Sequence, residues 1–284
     1  MSSNCSVNRK FIDYTCFKKE DLNVIAHNLN ECRSKASGKL KFCKGPVLST
    51  SLPKKELYSK IKKELKMNEI DWIKQKFLKD FKMKDFIFKP KGGISRGTWL
   101  NNLQIDKLMR QYTLLYNNKL NNKLNSKLKD KLPFIWHGVV GADYYQLPDN
   151  LSLLQEMISY PGKQGIIFNT DREDQDGSHW VAVFINKTCI EYFDSNGVSP
   201  NKYISAFLDK LKINNVNNIR GGLSSLRKLK INKIKHQTTD GVCGIYAIKF
   251  ILHRLFNLDT FKSFTGKVYP DNLVNKLRQV YFTK

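Results

Sequence analysis

The sequence predicts an α+β fold: a sheet of short strands packed by one buried helix, preceded by a helical extension. Two observations carry this. Between residues 165 and 193, apolar and β-branched runs of five or six residues alternate with polar turns. Close to the C-terminal end, Gly244–Phe256 (GIYAIKFILHRLF) is apolar on nearly every side, which marks a helix enclosed by the core.

The chain has 284 residues, 41% of them hydrophobic, enough for one sizeable core and an accessory region. No stretch reaches the roughly 20 apolar residues of a membrane span, and the start MSSNCSVNRK has no apolar signal core. The expectation is a soluble, unsecreted protein. Its net charge of +24 is concentrated N-terminally: residues 1–131 hold 30 Lys/Arg against 12 Asp/Glu, and residues 132–284 hold 19 against 13. Such a surface can attract polyanions, making nucleic acid a candidate partner, although solvated lysine-rich faces are an equal explanation. The six cysteines at 5, 16, 32, 43, 189 and 243 form no CxxC pair and no metal-spaced cluster. Free thiols are therefore the simplest reading, with a small knot among the first four as the alternative.

Taken in order, residues 1–50 show no sustained periodicity, whereas 54–85 repeats apolar residues at helical spacing, with Leu57, Ile61 and Leu65 followed by Ile73, Phe77 and Phe81. One or two amphipathic helices are expected there. Lys89-Pro90-Lys91-Gly92-Gly93 breaks the pattern, so the accessory region is assigned to 1–93 and the main domain to 94–284. A helix is expected from about Asn102. Beyond it, 117–132 is a low-complexity Lys/Asn/Leu stretch with leucine at every fourth position, read as an exposed insertion. Gly165–Asn169, Trp180–Ile185 and Cys189–Phe193 are strands, the last two joined as a hairpin across Asn186-Lys187. A helix should follow Pro200, then a strand within Leu226–Ile234, then the apolar helix.

Four residues in this frame suit thiol chemistry, which needs a thiolate, an imidazole, a group to orient that imidazole, and donors for an oxyanion. Cys243 precedes the apolar helix, where the helix dipole favours a thiolate. Gly241 and Gly244 allow a sharp turn and a close approach around it. His179 follows the acidic loop DREDQDGS at the start of a strand, and Asp194 ends the neighbouring strand of the hairpin. Gln237 lies six residues before Cys243. Singly, each has an ordinary explanation: a buried thiol, a surface histidine, a turn aspartate in FDSNG. Together they form a constellation. Of the other histidines, His137 reads as a turn or core residue, His236 as facing away from Gln237, and His253 as marginal on the apolar helix, while His27 has no identifiable partner.

The segments GSHWVAVFI, IEYFDSNG and HQTTDGVCGIYAI resemble the core of the ubiquitin-like-protein proteases, a group spanning SUMO deconjugases, the adenovirus protease and polyprotein-processing proteases of large DNA viruses. Similarity runs over about 165–256, with an echo at Thr98–Met109. The resemblance implies a papain-like core with a central mixed sheet and the nucleophile at the N-terminus of a buried helix. It implies His179 as general base, Asp194 as its orienter, Cys243 as nucleophile, and Gln237 with the Cys243 backbone N–H as oxyanion hole. By the same analogy, Trp180 walls the substrate channel and Gly244 lies against substrate. Val242 stands where many SUMO proteases carry an acidic residue, a departure that bears on SUMO specificity.

The implied activity is cysteine endopeptidase cleavage after glycine in Gly-Gly-X sites, without metal or organic cofactor. The implied setting is viral, with structural polyproteins matured in the host cytoplasm and virion. The competing readings are a deconjugase of SUMO or another ubiquitin-like protein in a cell's nucleus or cytoplasm, and a DNA-binding virion component with a vestigial protease fold. Lys91-Gly92-Gly93-Ile94 would suit self-processing, but a flexible turn is the simpler assignment.

Overall fold

A computed structural model of the chain describes residues 4–7, 15–35, 43–78, 81, 84–122, 132–212 and 227–284. It divides into two compact units, Met1–Lys89 and Pro90–Lys284.

The first unit is built on α1 (Lys19–Lys35) and α2 (Lys54–Leu65). Helix α1 lies where no periodicity was expected. Its buried residues Leu22, Ile25, Ala26 and Leu29 nevertheless follow helical spacing, a stripe that the many polar residues of the other faces obscure. In α2, Leu57, Ile61 and Leu65 are buried as their spacing predicts. The second expected helix is reduced to one turn, α3 (Glu69–Trp72), followed by a 3-10 turn at Lys76–Leu78. Phe17 stacks on buried Trp72 with ring centroids 5.4 Å apart. The free-thiol expectation is corrected here: Cys5 pairs with Cys16 and Cys32 with Cys43, since folding brings residues eleven apart in sequence to a Cα separation of 5.3 Å. Cys189 and Cys243 remain thiols.

The second unit is a five-stranded mixed sheet in the order β1 (Ile135–Val140), β2 (Gln164–Asn169), β3 (Trp180–Ile185), β4 (Cys189–Phe193) and β5 (Lys228–Ile231). The outer pairs β1/β2 and β4/β5 are parallel, and the inner pairs are antiparallel. Both faces are covered, so β3 is buried along its whole length. One face, with Trp180, Ala182, Phe184 and Phe193, packs against α4 (Asn102–Asn122) and α7 (Cys243–Leu255). The other, with Val181, Val183 and Tyr192, packs against α5 (Leu151–Ser159) and α6 (Lys202–Lys212). Buried Glu191 on β4 receives Arg254 of α7 at 2.6 Å. This ion pair fixes the central helix to the sheet.

Helices α8 (Phe261–Gly266) and α9 (Asp271–Tyr281) complete the unit. The supposed insertion at 117–132 needs correction over its first part. Residues 117–122 continue α4, because the Asn117 amide pairs with both backbone groups of Phe134, at 2.8 and 3.1 Å, and Tyr116 packs on Phe134 and Phe256. Residues 123–131 lie outside those described, as does Leu226 of the expected fifth strand.

Candidate active site

The β3/β4 hairpin supplies the first pair. Its register sets Ala182 opposite Phe193. Continued by one step, it puts Asp194 across from Val181 and diagonal to His179, close enough for side chains to meet. His179 Nε2 and Asp194 Oδ1 are 2.7 Å apart, with side chains 15% and 4% exposed. Asp194 is held in turn: Asn196 N–H donates to its Oδ1 at 2.7 Å, and the Asn232 amide donates to its carbonyl at 2.8 Å.

Cys243 opens α7 and is buried, near enough to His179 to act on the charge of its imidazole. Burial, the strongest single influence, disfavours the imidazolium. The hydrogen bonds and charges of Asp194 and Cys243 together outweigh it and raise His179 to about 9.

Gln237 is buried, and its Oε1 accepts the Ser195 hydroxyl at 2.8 Å. With its oxygen occupied, its Nε2 is the end available to donate elsewhere. The loop between Gln237 and Cys243 turns at Gly241, whose φ is +76° and where a Cβ would lie 2.4 Å from Gly97 O. Only glycine fits there.

Trp180 donates its indole N–H to Leu100 O at 2.9 Å. Both Trp180 and Leu100 would lie 3.2 Å from a Cβ on Gly244, so helix, indole and leucine meet closely beside the sulfur. Trp99, Leu100 and Trp180 also line a cleft of about 400 Å³ with Gly141, Asn169 and Gly177. His179, Asp194, Gln237, Cys243, Trp180 and Gly244 thus fall in one region of the second unit.

The remaining histidines lie elsewhere in the hydrogen-bond network. His137 meets Gln164 at 2.8 Å, His236 is buried against Phe193 and Phe264 with Thr265 O at 3.1 Å, and His253 lies between Lys249 and Asp259. Glycines 92 and 93 are no loose turn: Gly92 N–H donates to Thr283 O at 2.9 Å, and Gly93 O accepts from Arg278 at 2.8 Å. Sequence reasoning missed Ser195, Asn232 and Trp99. Ser195 had a faint signal as the neighbour of Asp194, and Trp99 as part of the segment Thr98–Met109. Asn232 reaches the site only through a tertiary contact.

Comparison with known proteins matches residues 100–282 to the model of the Ulp1 protease family, C-terminal catalytic domain. A protein of Acanthamoeba polyphaga mimivirus, described as a thiol protease, is 30% identical over 94% of this chain and 89% of its own length. A cysteine protease of African swine fever virus is 24% identical over 66% of this chain and 68% of its own length. The crystal structure of an African swine fever virus protease superposes with a TM-score of 0.63 at 20% identity, covering 100% of this chain and 97% of that one.

Proposed function

The chain belongs to the Ulp1 protease family and is a cysteine-type peptidase, and on that premise we propose that it is an endopeptidase cleaving after glycine with Cys243 as nucleophile. The observation that carries the proposal is the His179–Asp194 pair, 2.7 Å apart, with Cys243 beside that imidazole at the start of a buried helix. Nε2 of His179 is engaged by Asp194, which leaves Nδ1 for the sulfur. His179 takes the proton that the thiol gives up on becoming the nucleophile. The thiolate attacks the glycyl carbonyl, and the oxyanion is received by Gln237 Nε2 and the Cys243 N–H, a first-turn donor with no acceptor inside its own helix. His179 then gives its proton to the leaving amine. It next takes one from the water that hydrolyses the thioester.

Glycine specificity is supported by the crowding of Trp180 and Leu100 around Gly244, the residue after the nucleophile, since a narrow approach favours residues without side chains. The setting we propose is maturation of structural polyproteins in host cytoplasm and virion, supported by the viral origin of the relatives. In this reading the basic N-terminal half is a nucleic-acid anchor. A second reading, deconjugation of a ubiquitin-like protein, is favoured by the description of an African swine fever virus relative as a SUMO-1 cysteine protease.

The test is hydrolysis of a Gly-Gly-X peptide library beside labelling by ubiquitin-like vinyl sulfone probes. Cleavage after glycine, abolished in Cys243→Ala and reduced on the order of 10²-fold in Gln237→Ala, is the expected result. Efficient probe labelling without peptide cleavage would favour the deconjugase. Activity surviving in Cys243→Ala would refute the assigned nucleophile.

A further inference from the structure

The loop from Gln237 to Val242 joins the proposed oxyanion donor to the proposed nucleophile, and it has almost no apolar anchorage beyond Val242 itself. Ser195 holds Gln237 itself, and what holds the rest comes from α9. Asp271, in the first turn of that helix, accepts four hydrogen bonds through Oδ2 from Thr238 and Thr239: both backbone N–H groups, at 2.9 and 2.6 Å, and both hydroxyls, at 2.7 and 2.8 Å. Its Oδ1 accepts the Tyr246 hydroxyl of α7 at 2.7 Å. Arg278 lies seven residues further along the helix. Two turns of 3.6 residues bring it back to the same face, about 10 Å away along the axis.

Arg278 is fully buried, and its guanidinium fork spans three carbonyls from separate segments: Gly241 at 2.5 Å, Thr98 at 2.8 Å and Gly93 at 2.8 Å. Its remaining hydrogen bond goes to Asn275 Oδ1 at 2.9 Å. Thr98 directly precedes Trp99 and Leu100 in the cleft wall. A buried guanidinium whose partners are neutral carbonyls carries a desolvation cost that an apolar residue would avoid. That cost is offset only if the three segments need to be tied at one point, and a planar five-donor fork is suited to that.

We propose that Asp271 and Arg278 are positioning residues for the proteolytic reaction: α9 clamps the Gln237–Val242 loop at both ends, setting the oxyanion donor against the sulfur and, through Thr98, against the cleft wall. This rests on the reading of Cys243 as nucleophile and Gln237 as oxyanion donor. Cys243 itself is carried by α7, which beyond its Tyr246 bond to Asp271 is held by burial along nearly its whole length in the core. Loosening the clamp therefore displaces Gln237 and the wall more than the sulfur. Two further directions agree with the contacts. Burial pulls Arg278 down while the charge of Cys243 acts on it in the opposite sense, and Asp271, raised by burial, is lowered overall by the bonds from Tyr246, Thr238 and Thr239.

Arg278→Lys keeps the charge and loses the fork, and Asp271→Asn keeps the shape and loses the charge. For each full-length variant, kcat/KM on a Gly-Gly peptide is compared with the second-order rate of Cys243 alkylation by iodoacetamide, well below the measured Tm. Alkylation requires only the sulfur and imidazole. The expected result is hydrolysis at least about 10-fold lower with alkylation within about 3-fold of the parent. Hydrolysis unchanged in both folded variants overturns the clamp, as does a parallel fall in both rates, which would mean general collapse of the site. Failure of both variants to fold would show a folding requirement and also overturn it. Cys243→Ala is run alongside: hydrolysis persisting there refutes the underlying reading of the site, whatever the α9 variants do.

Discussion

The Ser195 hydroxyl donates to Gln237 Oε1 at 2.8 Å, and the Ser195 carbonyl accepts the backbone N–H groups of both His236 and Gln237, at 2.7 and 2.9 Å. One residue beyond Asp194 thus sets both the path of the neighbouring segment and the direction of its amide. Ser195→Ala leaves the backbone bonds in place and removes the one that orients the amide. We expect kcat to fall about 5-fold with KM little changed, the equivalent of about 1 kcal/mol for one neutral hydrogen bond. Steady-state kinetics on a glycine-containing peptide would show it, and an unaltered kcat would mean the Gln237 amide is oriented by something else.

The pH dependence follows from His179. Its charged form is favoured in the folded protein up to about 9, against an ordinary value of 6.5. The stabilisation from the charged pair is therefore fully present below pH 6.5 and is lost as pH rises through about 9. Activity should show an alkaline limb near pH 9. In Asp194→Asn the carboxylate that raises the imidazole is gone, and the limb should move toward neutrality. A limb at the same pH in both proteins would exclude Asp194 as its cause.

Gly241→Ala forces a left-handed φ of +76° on a residue whose Cβ would strike the backbone of Gly97. Strain alone should cost about 1–3 kcal/mol, and the displaced turn should also lower hydrolysis. Gly266→Ala is the comparison, because a Cβ there meets nothing within 4 Å. Thermal melts should separate them clearly. Equal Tm values would show that the turn before Cys243 is more tolerant than its geometry implies.

Thiol titration of the unreduced, denatured protein should return two free thiols, Cys189 and Cys243, and reduction should release the other four. Each bridge closes a short loop in the first unit, and its loss should destabilise that unit by about 2–4 kcal/mol. Limited proteolysis under reducing conditions would reveal the loss as earlier cleavage within residues 1–89. Six free thiols before reduction would refute both pairings.

Much of the second unit was legible because its signals are local. The strands β2, β3 and β4 and helix α7 are encoded by runs of apolar residues, and the hairpin register follows from a two-residue break. Strand β1 and helices α5, α8 and α9 escaped notice. The Ile135–Val140 strand is half-buried along its length and interrupted by His137 and Gly138, so it alternates weakly. The helices are short, and exposed Leu151 and Leu153 in α5 and Leu273 and Val280 in α9 blur the helical period.

By itself, the sequence determined the order and chemical type of His179, Asp194, Gln237 and Cys243, and the elements that carry them. Hydrophobic periodicity and turn residues act over a few positions and survive without knowledge of the fold. Tertiary structure decided how those residues are held. Ser195 orients Gln237, Asn232 grips the Asp194 carbonyl, and Asp271 and Arg278 reach back from α9 to the loop before Cys243. Tertiary structure also paired Cys5 with Cys16 and Cys32 with Cys43. Contacts of this kind join backbone carbonyls and side chains up to 185 residues apart, as Arg278 does with Gly93. A carbonyl carries no side-chain identity, so its partner leaves no pattern in a single sequence.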